Sequence, residues 1–143
     1  MCVFLKTIDR ERNGQFNGDG SLIAYSAVQS GSEQIYIQPF SPDSPCPVVP
    51  LSQLQISKTY SFAPRWGSNG KRLFFEGQDG TMQASEVLAG QMFGFPRILF
   101  RGVDVSYGYA VSAGDQFIFA EQPTHSGPPP PFTIVQNWLA GLK

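Results

Sequence analysis

A short pattern that occurs three times constrains the fold of this chain more than any other feature. Gly18–Tyr25, which reads GDGSLIAY, recurs as Ser68–Phe75 and, more loosely, as Ser112–Phe119. In each copy a tight polar turn leads into a strand of large apolar residues. Repeats spaced by about 40–50 residues, each with several short strands, are typical of stacked or radial units that cannot fold alone. The pattern therefore predicts a propeller-like repeat architecture.

Composition favours an all-β fold. The 143 residues include 15 Gly and 12 Pro, which fall between apolar runs and are too frequent for a helical protein. Short strands punctuated by such residues indicate a sandwich, a barrel or a propeller. Apolar residues fill successive positions after each turn, as in Ile23-Ala24-Tyr25, so we expect these strands to be buried on both faces. That pattern favours a propeller over a sandwich.

The strand count predicts a partial β-propeller of about three four-stranded antiparallel blades. The repeat units cover 14–57, 62–100 and 107–138, and an outer strand over 3–7 is displaced circularly to the N-terminus. The third unit is atypical because its turn reads Gly114-Asp115, the reverse of Asp-Gly. Terminal repeats are commonly atypical.

Local signals predict three connections and one terminal element. Asp79-Gly80 predicts a two-residue hairpin turn. Asp9–Asn13 reads as a charged turn and Gln29–Glu33 as a polar hairpin loop. Residues 138–143 read as one helical turn.

Five segments carry a resemblance to a known family. They are Phe16–Tyr25 followed by Gln34–Phe40, Pro64–Trp66 ahead of Asn69–Phe75, and the ending Thr133–Lys143. Together they resemble the TolB-like, WD-repeat-like β-propeller family of bacteria. The resemblance implies a C-terminal part of a propeller with about six blades. Such propellers often follow a serine/threonine kinase or winged-helix domain, but no kinase activity carries over to these residues.

Charge and hydropathy exclude two classes of partner. The net charge is −1 and no run of Lys or Arg exceeds two residues, so nucleic-acid binding is disfavoured. No stretch approaches the roughly 20 apolar residues of a membrane span, so we expect no direct membrane insertion. The compartment is left open.

The residues offer no catalytic set, metal site or cofactor site. His125 lies in a Pro-rich loop without other ligands, and Cys2 and Cys46 read as unrelated thiols. Ala110–Gly114 lacks the first Gly of a nucleophile elbow. The Asp-Gly turn at Asn17–Gly20 lacks the acidic ligands of a calcium loop.

Binding is expected at the rim of the central channel, where the loops that enter the innermost strands converge. These loops are Asp9–Asn13, Lys58–Ser61 and Arg101–Tyr107. Tyr107 and Tyr109 are the aromatic candidates for the rim, whereas Trp66, Phe74, Phe75 and Phe119 read as core. The candidate binding residues are Arg10, Glu11, Arg12, Lys58, Tyr60, Arg101, Asp104 and Tyr107.

Two functions remain open from the sequence. The first is a non-catalytic segment that recognises a protein or small ligand, as the sensor or scaffold of a larger signalling protein. The second is part of a lyase or hydrolase whose site forms only in the complete ring, with Asp104 and Glu11 in one sector. Three blades leave open flanks, so we expect either a homodimer that completes a six-blade ring or missing blades from a longer chain.

Overall fold

The fold is all-β in the part of the chain that the structure describes. The computed structural model describes residues 10–29, 31–41, 53–88 and 92–120, and the backbone of 134–135. The expected outer strand over 3–7, the helical turn at 138–143, and the residues Cys2, Cys46 and His125 lie outside these ranges. The described residues form strands and no helix: β1 Glu11–Phe16, β2 Leu22–Gln29, β3 Ser32–Pro39, β4 Leu54–Gln55, β5 Ser61–Trp66, β6 Arg72–Gly77, β7 Thr81–Glu86, β8 Arg97–Arg101, β9 Tyr109–Val111, β10 Phe117–Phe119 and β11 Ile134–Val135.

The strands form three antiparallel sheets in chain order. The first sheet is β1-β2-β3-β4, the second is β5-β6-β7-β8, and the third is β9-β10-β11 among the described strands. The three predicted turns join the first two strands of each sheet, where Gly20, Gly70 and Gly114 have positive φ. Each repeat thus forms one sheet, and the described sheets do not close into a barrel or ring.

Three predicted connections differ from the structure. β1 already begins at Glu11, so most of the expected charged turn at 9–13 is strand. β2 and β3 continue to the pair Gln29–Ser32, well inside the expected loop. Gly77 pairs with Thr81, so three residues rather than two form the β6–β7 loop, although Asp79 and Gly80 both have the positive φ that the prediction requires.

The first strands share a feature that the sequence did not predict. β1 shifts register between Arg12 and Gln15, and β5 shifts at the matching place. Asn13, Ala63 and Gly108 have φ of 55°, 54° and 95°, and each lies three residues before the strand's last paired residue. A bulge with a left-handed residue therefore occurs in β1 and in β5, and a left-handed glycine directly precedes β9 at the matching place. Ala at this position gives no sequence signal for positive φ.

The core lies in two layers between the sheets and includes apolar residues that follow each of the three turns. The first layer holds Leu22, Ala24, Ile35, Ile37 and Ile56 of the first sheet region against Trp66, Leu73 and Phe75 of the second. The second holds Ala63, Phe74, Met82 and Ala84 against Val105, Tyr109, Phe117 and Phe119.

Burial on both faces is confirmed for β6 and wrong for β10. Leu73, Phe74 and Phe75 of β6 are fully buried, because a sheet packs on each side of them. Ile118 of β10 is 42% exposed, because no described sheet covers the far face of the third sheet. The aromatic residues that the sequence assigned to the core are buried as predicted.

The outer face of the first sheet is also buried. Tyr25 and Tyr36 lie opposite each other on β2 and β3, with ring centroids 6.0 Å apart. Tyr25 Oη and Gln38 Oε1 are buried there and have no hydrogen-bond partner among the described residues. Burial raises the pKa of Tyr25 above its usual range. An apolar flank is therefore open on the third sheet but not on the first.

Candidate recognition site

The predicted binding residues share one end of the sheets, which we call the charged end. Strand pairing defines it: Glu11 pairs with Ala27 near the end of β2, and Arg101 pairs with Thr81 at the start of β7. β1, β5 and β9 all begin here, and the β2–β3 and β6–β7 loops lie here too. The predicted residues that this topology brings to the charged end are Arg10, Glu11, Arg12, Lys58, Tyr60, Arg101, Asp104 and Tyr107.

Tyr60 lies at the charged end, in the connection between β4 and β5. Its ring lies 5.6 Å from that of Phe62, and 44% of the residue is exposed. Desolvation raises the pKa of Tyr60, the carboxylates of Glu33 and Glu76 raise it further, and Arg12 opposes them. Tyr60 therefore lies within the electrostatic reach of groups from three different segments.

Glu33 and Glu76 are the site residues that sequence reasoning missed. Glu33 is buried at the start of β3, and Ser26 Oγ donates to its Oε1 at 2.7 Å. Glu76 is buried near the end of β6, and its Oε2 accepts a hydrogen bond from Val105 N at 3.2 Å. In β3 the alternation of polar and apolar residues was an available signal, because it places Glu33 on the same face as the apolar Ile35. β6 has no such alternation, so no sequence signal pointed to Glu76.

The pKa values of Glu76 and Asp104 are shifted in opposite directions. Desolvation raises the pKa of Glu76, the hydrogen bond from Val105 lowers it, and the nearby Asp104 raises it. Asp104 behaves in the opposite way, since the side chain and backbone of Ser106 donate to it and lower its pKa. A buried acid with a raised pKa thus lies near an exposed acid with a lowered pKa.

Gly80 holds the loop that carries Asp104 in place. Gly80 O accepts hydrogen bonds from Gly102 N at 2.9 Å and Val103 N at 3.1 Å. Gly80 has a φ of 62°, and a Cβ there would lie 2.6 Å from Val103 O. Only glycine satisfies both the backbone conformation and the close approach.

Tyr109 is not at the rim, which corrects the sequence prediction. It is buried in the second core layer, where its hydroxyl donates to Ala63 O at 2.7 Å. The Arg65 guanidinium lies 5.4 Å from the centre of its ring. Tyr109 is the first residue of β9 and directly follows Gly108, which has a φ of 95°. Tyr107, by contrast, is 56% exposed.

A separate groove of about 330 Å³ lies between the first and second sheets. Of the predicted binding residues, Lys58 is the one that lines it. The groove was not predicted, because its walls come from segments almost 40 residues apart. Its described lining is Leu54, Gln55, Ile56, Ser57, Lys58, Thr59, Gln83, Phe93, Gly94, Phe95 and Pro96.

The arrangement is suited to binding by charge and aromatic contact. Across the described ranges, no group of three His, Cys, Asp or Glu side chains is placed to hold a metal ion. Within the same ranges, no helix has the length and apolar character needed to cross a membrane.

Comparison with protein-family models found no match, and neither did the search of curated proteins or the search of solved structures.

Proposed function

We propose that this chain is a β-propeller segment that recognises a protein or small ligand at its charged end without catalysing a reaction. The segment is the sensor or scaffold of a larger bacterial signalling protein of the TolB-like kind. The repeated turns, the repeated bulge and the packing of each sheet on the next support the propeller.

One observation carries the recognition role. The loops that enter β1, β5 and β9 meet at one end and expose Tyr60, Tyr107 and charges of both signs. Exposed aromatic and Arg residues held on rigid strands are the usual anchors of binding surfaces. The charged pairs that fix the other parts of the fold, such as Arg72 with Asp115, lie at the opposite end.

The proposed ring needs further sheets. In the proposed arrangement, the exposed face of β10 packs on the outer face of the first sheet of a second copy, and two copies complete six blades. That outer face is buried within one chain, so closure requires it to be uncovered. The alternative source is a longer chain that supplies the missing blades.

The recognition role is tested by replacing the exposed aromatic residues at the charged end with alanine. A partner is first isolated with the full chain, and its affinity is then measured by titration calorimetry. Tyr60→Ala combined with Tyr107→Ala should weaken binding by about tenfold or more. Asp19→Ala combined with Lys71→Ala, at the opposite end, is the matched control and should change affinity little. Loss of binding in the control alone would contradict the proposal.

The buried acid Glu76 favours a second candidate function. A carboxyl group with a raised pKa beside a charged one is a common arrangement for acid–base catalysis, and Glu76 lies near Asp104. This would make the charged end one sector of a lyase or hydrolase site in the complete ring. Turnover by the assembled protein that is abolished by Glu76→Gln but not by Glu86→Gln would favour the enzyme over the recognition segment.

A further inference from the structure

The groove between the first and second sheets is built from fixed segments. On one side, Ile56 N donates to Ile35 O at 2.8 Å and Ile35 N donates to Ser57 Oγ at 2.9 Å. On the other side, Gly94 N donates to Glu86 O, and Gly94 O accepts from Ser85 Oγ at 2.7 Å. Both walls are therefore held by hydrogen bonds to buried strands.

The apolar part of the groove includes an aromatic side chain that the fold does not bury. Phe95 is 87% exposed although it lies between the anchored Gly94 and Pro96. Phe93, two residues earlier, packs on Trp66 with ring centroids 6.3 Å apart. Leu54 adds a half-exposed aliphatic side chain to the opposite wall. An exposed Phe on a fixed segment that faces a cavity is typical of a binding groove.

The polar part of the groove favours an anion. Lys58 is the one charged residue of the described lining, and it forms no ion pair with the described residues. Ser57 is 2% exposed, and its hydroxyl accepts from Ile35 N while no described acceptor takes its hydrogen. Because Lys58 and Ser57 both line the groove, a cation and a hydroxyl donor are available there to a carboxylate.

We propose that this groove binds a small amphiphilic monocarboxylate. The carboxylate lies at Lys58 and Ser57, and the apolar part lies against Phe95, Pro96 and Leu54. A volume of about 330 Å³ is at the lower end of the roughly 300–1,000 Å³ of small-molecule sites, so the ligand is small. The single cation favours a monoanion over a phosphate. This site shares Lys58 with the charged end, but the rest of its lining is separate and the site does not depend on ring closure.

The test is an amide NMR titration of the full chain with phenylacetate, 3-phenylpropionate and octanoate. At least one acid should shift the amides of residues 54–59 and 93–96. Lys58→Gln should weaken that acid by about fivefold, and Phe95→Ser by a similar factor. Lys71→Gln is the matched control at the opposite end and should change affinity less than about twofold. Phenylacetamide, which has the shape of phenylacetate without the charge, should bind more weakly by the factor seen for Lys58→Gln.

The same titration contains the results that would overturn the proposal. These are the absence of binding by all three acids, equal weakening in Lys58→Gln and Lys71→Gln, or equal affinity for the amide and the acid. Shifts at 93–96 that follow protein concentration without any acid would assign the groove to a second copy of the chain instead. Lys58→Gln and Phe95→Ser both replace exposed side chains, so we expect both variants to fold and the change in affinity to report on the groove.

Discussion

The two interfaces between successive sheets both join the first strands of those sheets, but they use different side-chain chemistry. Between the first and second sheets, Gln15 Oε1 accepts from Trp66 N at 2.8 Å, and Gln15 O accepts from Trp66 Nε1 at 3.0 Å. Between the second and third sheets, Tyr109 donates to the bulge carbonyl of Ala63. The first layer is largely aliphatic around Trp66, whereas the second is aromatic.

A salt bridge between the second and third sheets explains the atypical third turn. Arg72 Nη1 donates to Asp115 Oδ2 at 2.9 Å, and the Asp115 side chain is only 8% exposed. Asp115 has a φ of 59° directly after Gly114, so the reversed Gly-Asp order places its carboxylate toward the second sheet. What resembles degeneration of the repeat in the sequence is therefore a specific contact between sheets.

The largest expected loss of stability comes from removing an aromatic side chain at the second interface. Phe117 is fully buried, and its ring centroid lies 4.9 Å from that of Phe74 and 5.4 Å from that of Phe100. Phe117→Ala should reduce the free energy of unfolding by about 3–5 kcal/mol. Phe75→Ala, equally buried at the first interface, should cost about 1 kcal/mol less, because it lacks these edge-to-face contacts. Urea unfolding measures both, and a larger loss for Phe75→Ala would contradict the comparison.

A smaller effect is expected from the amide that joins the first interface. Gln15→Ala leaves the backbone N–H of Trp66 without its acceptor and should cost about 1–3 kcal/mol. Gln15→Glu retains an acceptor oxygen and is the matched control, so it should restore much of the loss. Urea unfolding followed by tryptophan fluorescence reports the change in a Trp138→Phe background. Equal losses in both variants would assign the effect to packing alone.

Loss of the Tyr109 hydroxyl should have a modest effect. Tyr109→Phe keeps the ring in the second core layer and removes only the hydrogen bond to Ala63 O. We expect a cost of about 0.5–1.5 kcal/mol in urea unfolding. A cost as large as that of Phe117→Ala would show that the hydroxyl, rather than the ring packing, holds this interface together.

The smallest expected effect is a change in the pH dependence of stability when either of two acids beside the second interface is replaced. The pKa of Glu76 lies above 4.5 in the folded chain, so its ionisation costs stability as the pH rises through the folded pKa. Glu76→Gln should therefore be slightly more stable than wild type at pH 7 and no more stable below pH ~4.

Asp104→Asn is the matched variant of opposite sign. The pKa of Asp104 is lowered from 3.8, so the charged carboxylate stabilises the folded chain above that pH. This stabilisation is lost as the pH falls through the folded pKa. Thermal unfolding at both pH values should therefore show a loss for Asp104→Asn at pH 7. A change of the same sign in both variants would contradict the assigned pKa directions.

The sequence predicted the strands better than their connections. Turn residues such as Asp19-Gly20 mark the strands because glycine supplies the positive φ that the turn requires. The β6–β7 loop length was wrong because Asp-Gly fixes the local conformation but not the register of the strands around it. The bulge at Ala63 was missed because its positive φ is imposed by pairing with β6, not by the residue type.

The candidate site was predicted in part for a similar reason. Loop positions follow from strand order, so Tyr60, Asp104 and the other predicted residues could be placed at one end from the repeat alone. Glu33 and Glu76 lie within strands, where the repeat predicts packing rather than binding. The groove beside Phe95 depends on how two sheets pack, which no local pattern contains.

The central claim is that these sheets are units of an incomplete propeller, and the mass of the purified chain in solution tests it most directly. If a second copy supplies the missing blades, light scattering combined with thermal unfolding should give twice the chain mass and a midpoint temperature that rises with concentration. If a longer chain supplies them, the same measurement should give a poorly folded or aggregating monomer. In the first case, Ile118→Lys, on the exposed face of β10, should give a monomer of lower stability. A monodisperse wild-type monomer that unfolds cooperatively, with Ile118→Lys unchanged, would contradict the claim.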